Sequence, residues 1–149
     1  MALQTHRMIE NRGSFINEEF LCGDSASYPG MLLMLNAAGE AVVHNLGETV
    51  TPLMIADLDA LQGDIQSTVF TDANQVPVTF PSKGSVVNVL VQAGDIVAIG
   101  SKLASAGDGH FMVVETATSG SFNAGILVEA TEGQATALAA ATLVACRVI

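Results

Sequence analysis

The chain of 149 residues is half apolar and only 13% charged, with 5 Lys and Arg against 15 Asp and Glu and a formal net charge of −10. A nucleic-acid binder needs clustered cations to displace phosphate counterions. Here no Lys or Arg falls between Arg12 and Lys83 and none cluster, so direct contact with nucleic acid is not expected.

Cys22 and Cys146 form no CxxC pair, so neither a zinc site nor a disulfide framework is expected. The start, MALQTHRMIENRGSF, lacks the apolar run of a signal peptide. The most apolar segment, ALAAATLVAC (137–146), is shorter than the about 20 residues a spanning helix needs. Synthesis in the cytoplasm and no membrane partner are therefore expected.

Residues 1–27 are polar and mixed in charge, without sustained alternation or a helical face. They read as an arm reaching across a surface, or equally as a tail that orders only on binding. Within them Phe15, Ile16, Phe20 and Leu21 are apolar anchors, and Arg7 and Arg12 are the only cations.

From residue 28 onward the chain reads as strands and turns, one β-barrel or sandwich-like domain over 28–149. YPG is a turn, MLLML a buried strand, NAAGE a hairpin-like turn and AVVHNL a second strand. PLMIADLDALQG reads as a strand running into one helical turn that ends at Gly63. IQSTVFTDANQVPVTFPS alternates like a half-buried strand, and Pro77 and Pro81 place it at an edge or rim. SVVNVLV, DIVAIG, HFMVVETAT, FNAGILVEAT and ATLVACRVI are further β-rich segments. GQATALAAAT is a loop or a short helix, since Ala and Leu favour helix. Breaks every 8 to 12 residues or so are the spacing of an all-β barrel or sandwich.

Catalytic patterns are missing. His6, His44 and His110 are not spaced as metal ligands on one element. Asp57–Asp64 fails as a calcium loop, with Leu61 and Thr68 at positions five and twelve and Gln62 where Gly is needed. There is no G-x-S-x-G elbow and no phosphate-binding loop. Asp57 and Asp59 read as exposed turn carboxylates rather than an acid–base pair. The barrel rhythm of VQAGDIVAIGSKLASAGDGHF is shared with lipoyl and biotinyl carriers, which present a lysine on a tight turn. Lys83 in FPSKGSV and Lys102 in IGSKLASAGDG lack the acidic predecessor and Met-Lys context of such sites. No enzyme activity and no cofactor are expected.

The ordered set YPGMLLMLNAAGEAVVH, PLMIADLDALQGDIQSTV, GSVVNVLVQAGDIVAIGSKLASAGDGH and ACRVI resembles the head decoration, or capsid cement, proteins of tailed bacteriophages. The resemblance runs from Tyr28 to Ile149. It departs at Ser101-Lys102, where the family often has Gly-Asp, and leaves the arm unmatched. It implies a structural virion protein on the outer surface of the capsid, clamping neighbouring capsomers, with the major capsid protein and copies of itself (a homotrimer) as partners. The arm then pairs by strand addition with a neighbouring subunit or the capsid protein, through Arg7, Arg12, Phe15, Ile16, Phe20 and Leu21. A carrier domain and a receptor-binding or fibre-type β-rich trimer are the alternatives.

Overall fold

A computed structural model describes residues 8–23, 27–47, 52–58, 69–71, 74–114 and 125–149. They form eleven strands and no helix. The expected all-β class is therefore found, but the expected short helical turns are not, among the described residues. The helical turn read at the end of PLMIADLDALQG lies mostly outside them.

Five strands close a barrel: β7 (Val86–Val91), β11 (Thr142–Val148), β10 (Val128–Ala130), β8 (Lys102–Ser105) and β9 (Phe111–Val113). β7 and β11 pair antiparallel over six positions, from Thr142↔Val91 to Arg147↔Val86. Both are nearly continuous apolar runs because both faces are covered. The seam closes where β9 meets β7 in parallel at Val91↔Phe111, and the Gln92 N–H donates to the Phe111 carbonyl at 2.9 Å. Inside lie Val87, Val89, Val91, Leu103, Phe111, Val144 and Cys146, all fully buried.

A second sheet, β2 (Phe15–Leu21), β6 (Gln75–Pro81) and β5 (Ile55–Ala56), lies between this core and another. Ile55 and Phe15 face the barrel core, whereas Val76, Val78, Ala56 and Phe20 join the second core under the hairpin of β3 (Leu33–Leu35) and β4 (Ala41–Val43). The NAAGE turn is a hairpin turn as expected. The Asn36 Oδ1 accepts from the N–H groups of Ala38 and Glu40, both at 2.9 Å, in place of missing backbone partners. β1 (Glu10–Arg12) extends the barrel sheet along β7.

One reading is corrected. The strand holding Pro77 and Pro81 is central in its sheet, not at an edge. Residues 77, 79 and 81 aim their backbone groups toward β5, since Asp57 N–H donates to the Pro77 carbonyl at 2.8 Å. β5 pairs with Val78 and Thr79, so Pro81 lies beyond it, and Pro77 meets Asp57 through its carbonyl alone. Pairing with β2 uses residues 76, 78 and 80 and needs neither proline.

Of the two readings of the Ala-rich stretch, loop or short helix, the loop is the one found, over 133–141. Its backbone groups bond to the β7–β8 connection instead of to one another. Gly94 N–H donates to the Leu138 carbonyl at 2.8 Å, Leu138 N–H to Asp95 at 2.9 Å and Gln134 N–H to Val97 at 2.8 Å. Burial of Leu138 in the barrel core outweighs the modest helix preference of its alanine neighbours. Gly133 lets the two loops touch, because a Cβ there would overlap the Val97 carbonyl.

Candidate interaction surface

The segment read as an arm is built into the body from residue 9 onward. Ile9 is fully buried in the barrel core. The Ile9 carbonyl accepts from Asn88 N–H at 2.8 Å and the Met8 carbonyl from the Asn88 side chain, which satisfies a buried amide within β7. Buried Thr79 donates to the Glu10 carboxylate at 3.0 Å. At the bend before β2, Ser14 N–H donates to the Ser85 Oγ at 3.0 Å.

β2 pairs along its whole length with β6 of its own chain, from Phe15↔Pro81 to Leu21↔Gln75. Residues 16, 18 and 20 carry the inward backbone bonds, because their partners Phe80, Val78 and Val76 are those that face β2. The backbone groups of Phe15, Asn17, Glu19 and Leu21 therefore point away from the sheet. Among the described residues no strand pairs with them, and β2 is an edge of its sheet. Five of its seven side chains are exposed.

Of the residues singled out in the sequence, Arg7 lies outside the described residues. Arg12 is exposed at the end of β1. Phe15 packs onto the barrel core, and Phe20 onto the second core, where its ring meets Phe80 edge-on at 6.4 Å and 69°. Ile16 and Leu21 remain 66% and 51% exposed, one on each face of the sheet. Glu18 and Glu19 lie between them. With Asn17, Asp57, Leu58, Pro77 and Val78 they line an open groove of about 510 Å³ beside the edge. The edge is thus apolar at its ends and acidic at its middle.

Sequence reasoning missed a second exposed apolar surface, at one end of the barrel. Ile96 and Ile99 are 56% and 78% exposed on the β7–β8 connection. The available signal was a large β-branched residue immediately before a turn glycine, where polar residues are usual.

Elsewhere the polar chemistry is structural. Lys102 begins β8 and is ion-paired with Glu129, its cross-strand partner on β10, so it is not a lysine displayed on a turn tip. Lys83 is exposed on the turn between β6 and β7. Cys22 and Cys146 are both buried, in different cores, and not joined. His6 lies outside the described residues, and His110 Nδ1 is 3.1 Å from the Asp108 carboxylate.

His44 is 2% exposed, and its Nδ1 is 2.8 Å from the Ser105 Oγ. That oxygen also accepts from Gly107 N–H at 3.1 Å, and either tautomer of a neutral imidazole can share the remaining hydrogen bond with it. Burial holds the His44 pKa below its ordinary value. The unfolded chain therefore binds the proton more readily, with a His pKa of about 6.5. Stability contributed by neutral His44 is complete above that pH and is lost as pH falls toward the depressed folded value. Urea unfolding from pH 7 to pH 5 is expected to show this loss in the wild type. The loss should be smaller in His44→Asn, whose amide can still meet Ser105. Equal acid slopes in the two proteins would remove His44 as a source of it.

No protein-family model and no curated protein matches the chain. Among solved structures, the fold is similar to the N base of the head fiber protein gp8.5 of bacteriophage phi29. The likeness covers 91% of this chain and 95% of that one, with a TM-score of 0.56 at 12% sequence identity. At that identity the two share a fold.

Proposed function

We propose that the protein is a structural component of a tailed-bacteriophage head, bound to the outer surface of the capsid as a homo-oligomer. The observation that carries this reading is the fold shared with a head fiber base over nearly the whole of both chains. The ordered motifs from Tyr28 to Ile149 point to the same particle independently.

In this reading the outer edge of β2 receives a strand of the major capsid protein. Main-chain bonds supply affinity, and Ile16 and Leu21 supply side-chain anchors on the two faces of the added strand. Arg12, with Arg7 nearby in sequence, meets acidic capsid surface. Lattice binding multiplies modest contacts through avidity. Two roles fit. A cement protein clamps adjacent capsomers against internal pressure; the base of a head fiber anchors a projecting structure, and the fold likeness to such a base favours weighing it equally.

One experiment separates them. The purified protein is mixed with empty capsids, the mixture is sedimented, and capsid melting is followed by calorimetry. Cosedimentation with a raised capsid melting temperature is the cement outcome. Cosedimentation without that rise is the fiber-base outcome. A protein left entirely in the supernatant would overturn the proposal.

A further inference from the structure

The end of the barrel that carries Ile96 and Ile99 has no role in the fold as described, yet it is built with care. Two connections form it, residues 94–101 and 131–141, held together by the three backbone bonds of Gly94, Leu138 and Gln134. Ile99 stands at the tip of a turn closed by Ser101 N–H donating to the Ala98 carbonyl at 2.9 Å. That turn requires only Gly100, whose φ is +89°. The adjoining Ala137, Ala139, Ala140 and Ala141 are exposed as well.

The two segments carry no charge of their own, and the exposed ion pair beside Gly100, Lys102 with Glu129, carries no net charge. Neither 96–101 nor 133–145 contains a single Asp, Glu, Lys or Arg. The two flanking carboxylates are engaged within the fold. Asp95 accepts from Val113 N–H at 2.8 Å and from the Gln92 amide at 3.1 Å, and Glu132 accepts from Ala145 N–H at 2.8 Å.

We infer that this face docks a second copy of the chain, with Ile99 at the centre of the contact. The inference deepens the assembly reading above, in which the protein acts as a homo-oligomer, by naming the surface used. Charge decides the occupant. A different protein that selected a partner of net charge −10 would be met by acidic side chains free to bind it, whereas the carboxylates bordering this face, Asp95, Glu129 and Glu132, are engaged within the chain. Two equally acidic copies repel wherever their charged surfaces meet, within about a Debye length of 8–10 Å. A patch whose own residues carry no charge is where they meet at the least of that cost.

The β2 edge is the opposite case. Antiparallel pairing of two β2 edges would set Glu18 and Glu19 of one copy near those of the other, which is unfavourable. That edge suits a different chain. The barrel end suits a copy, and its bonded loops lose little freedom on docking.

Light scattering on the full chain across a dilution series tests the inference. The wild type is expected to show an integral multiple of its 15.3 kDa chain mass. Ile99→Asp places a carboxylate in the desolvated centre and is expected to weaken self-association by at least about a hundredfold. Ile96→Asp should act in the same direction. Leu21→Asp, on the β2 edge, should leave the mass unchanged. Circular dichroism of each variant checks that the exposed substitutions leave the β fold intact. A wild type of single-chain mass throughout, or an Ile99→Asp protein of unchanged multimeric mass, would overturn the assignment. Capsid sedimentation of the same proteins separates the two ideas. Dissociation by Ile99→Asp without capsid binding upholds this face and removes the phage-head role. Capsid binding with an unchanged Ile99→Asp mass does the reverse.

Discussion

Phe111→Ala is expected to cost about 3–5 kcal/mol of folding stability, the range for emptying a buried phenylalanine site. The ring belongs to the largest side chain among the fully buried residues, and it occupies the place where the barrel closes. β9 meets β7 in register at Val91↔Phe111 only. The rest of the seam is the Gln92 N–H bond to the Phe111 carbonyl and the Val113 N–H bond to Asp95. Removing the ring leaves a cavity and loosens both strands beside it. Against a typical total of about 5–15 kcal/mol, that is a large share. For a chain of this size the midpoint should fall by roughly 6–20 °C, at about 2–4 °C per kcal/mol. Phe111→Leu, which keeps most of the volume, should lose much less. Calorimetry decides: a fall under about 2 °C for the alanine variant, less than one kcal/mol on that scale, would mean the seam is held by something other than this ring.

Asn17→Pro is expected to abolish capsid binding while leaving the fold nearly untouched. The Asn17 N–H is one of the outward groups of β2, and its partner position on β6 is Thr79, which faces β5. Proline there removes a donor the protein does not use and an added strand would. Glu18→Pro is the matched control, because residue 18 bonds inward to Val78; it should destabilise the sheet. Thermal melts and capsid sedimentation of the two variants give the result. If Asn17→Pro protein sediments with capsids as the wild type does, strand addition at this edge is wrong, whatever else holds the protein on the particle. Deleting residues 2–20 makes a poorer test, since it takes Ile9 and Phe15 from the barrel core as well.

How far the sequence foretold this depends on what each strand buries. β7 and β11 are covered on both faces, so their apolar runs stood out between Gly and Asp turns. The NAAGE hairpin was legible because Asn36 supplies the turn's own acceptor. β2 was not recognised as a strand, and the cause is physical. Alternation appears only when one face is buried, whereas β2 buries Phe15 on one face and Phe20 on the other, with polar residues between. Pro77 misled because the position of a strand in a sheet does not say which side of it is actually occupied. The Ala-rich stretch stayed open between loop and short helix because local helix preference amounts to tenths of a kcal/mol per residue, less than the burial of Leu138 that decides for the loop. The interaction edge depended on backbone parity and the barrel-end patch on a distant loop contact, and neither is written in local spacing.

The position of β11 between β7 and β10 has a kinetic consequence. Its contacts with β7 join residues roughly sixty positions apart, so most of the barrel's pairing waits on a distant encounter. Until β11 arrives, β7 and β10 each present a bare, apolar flank. Refolding should therefore be slow, on the order of milliseconds to seconds, and prone to intermolecular mispairing at high concentration. A chain emerging from the ribosome would gain its barrel only after residues 142–148 have followed, which makes crowded synthesis the moment of greatest risk for this fold.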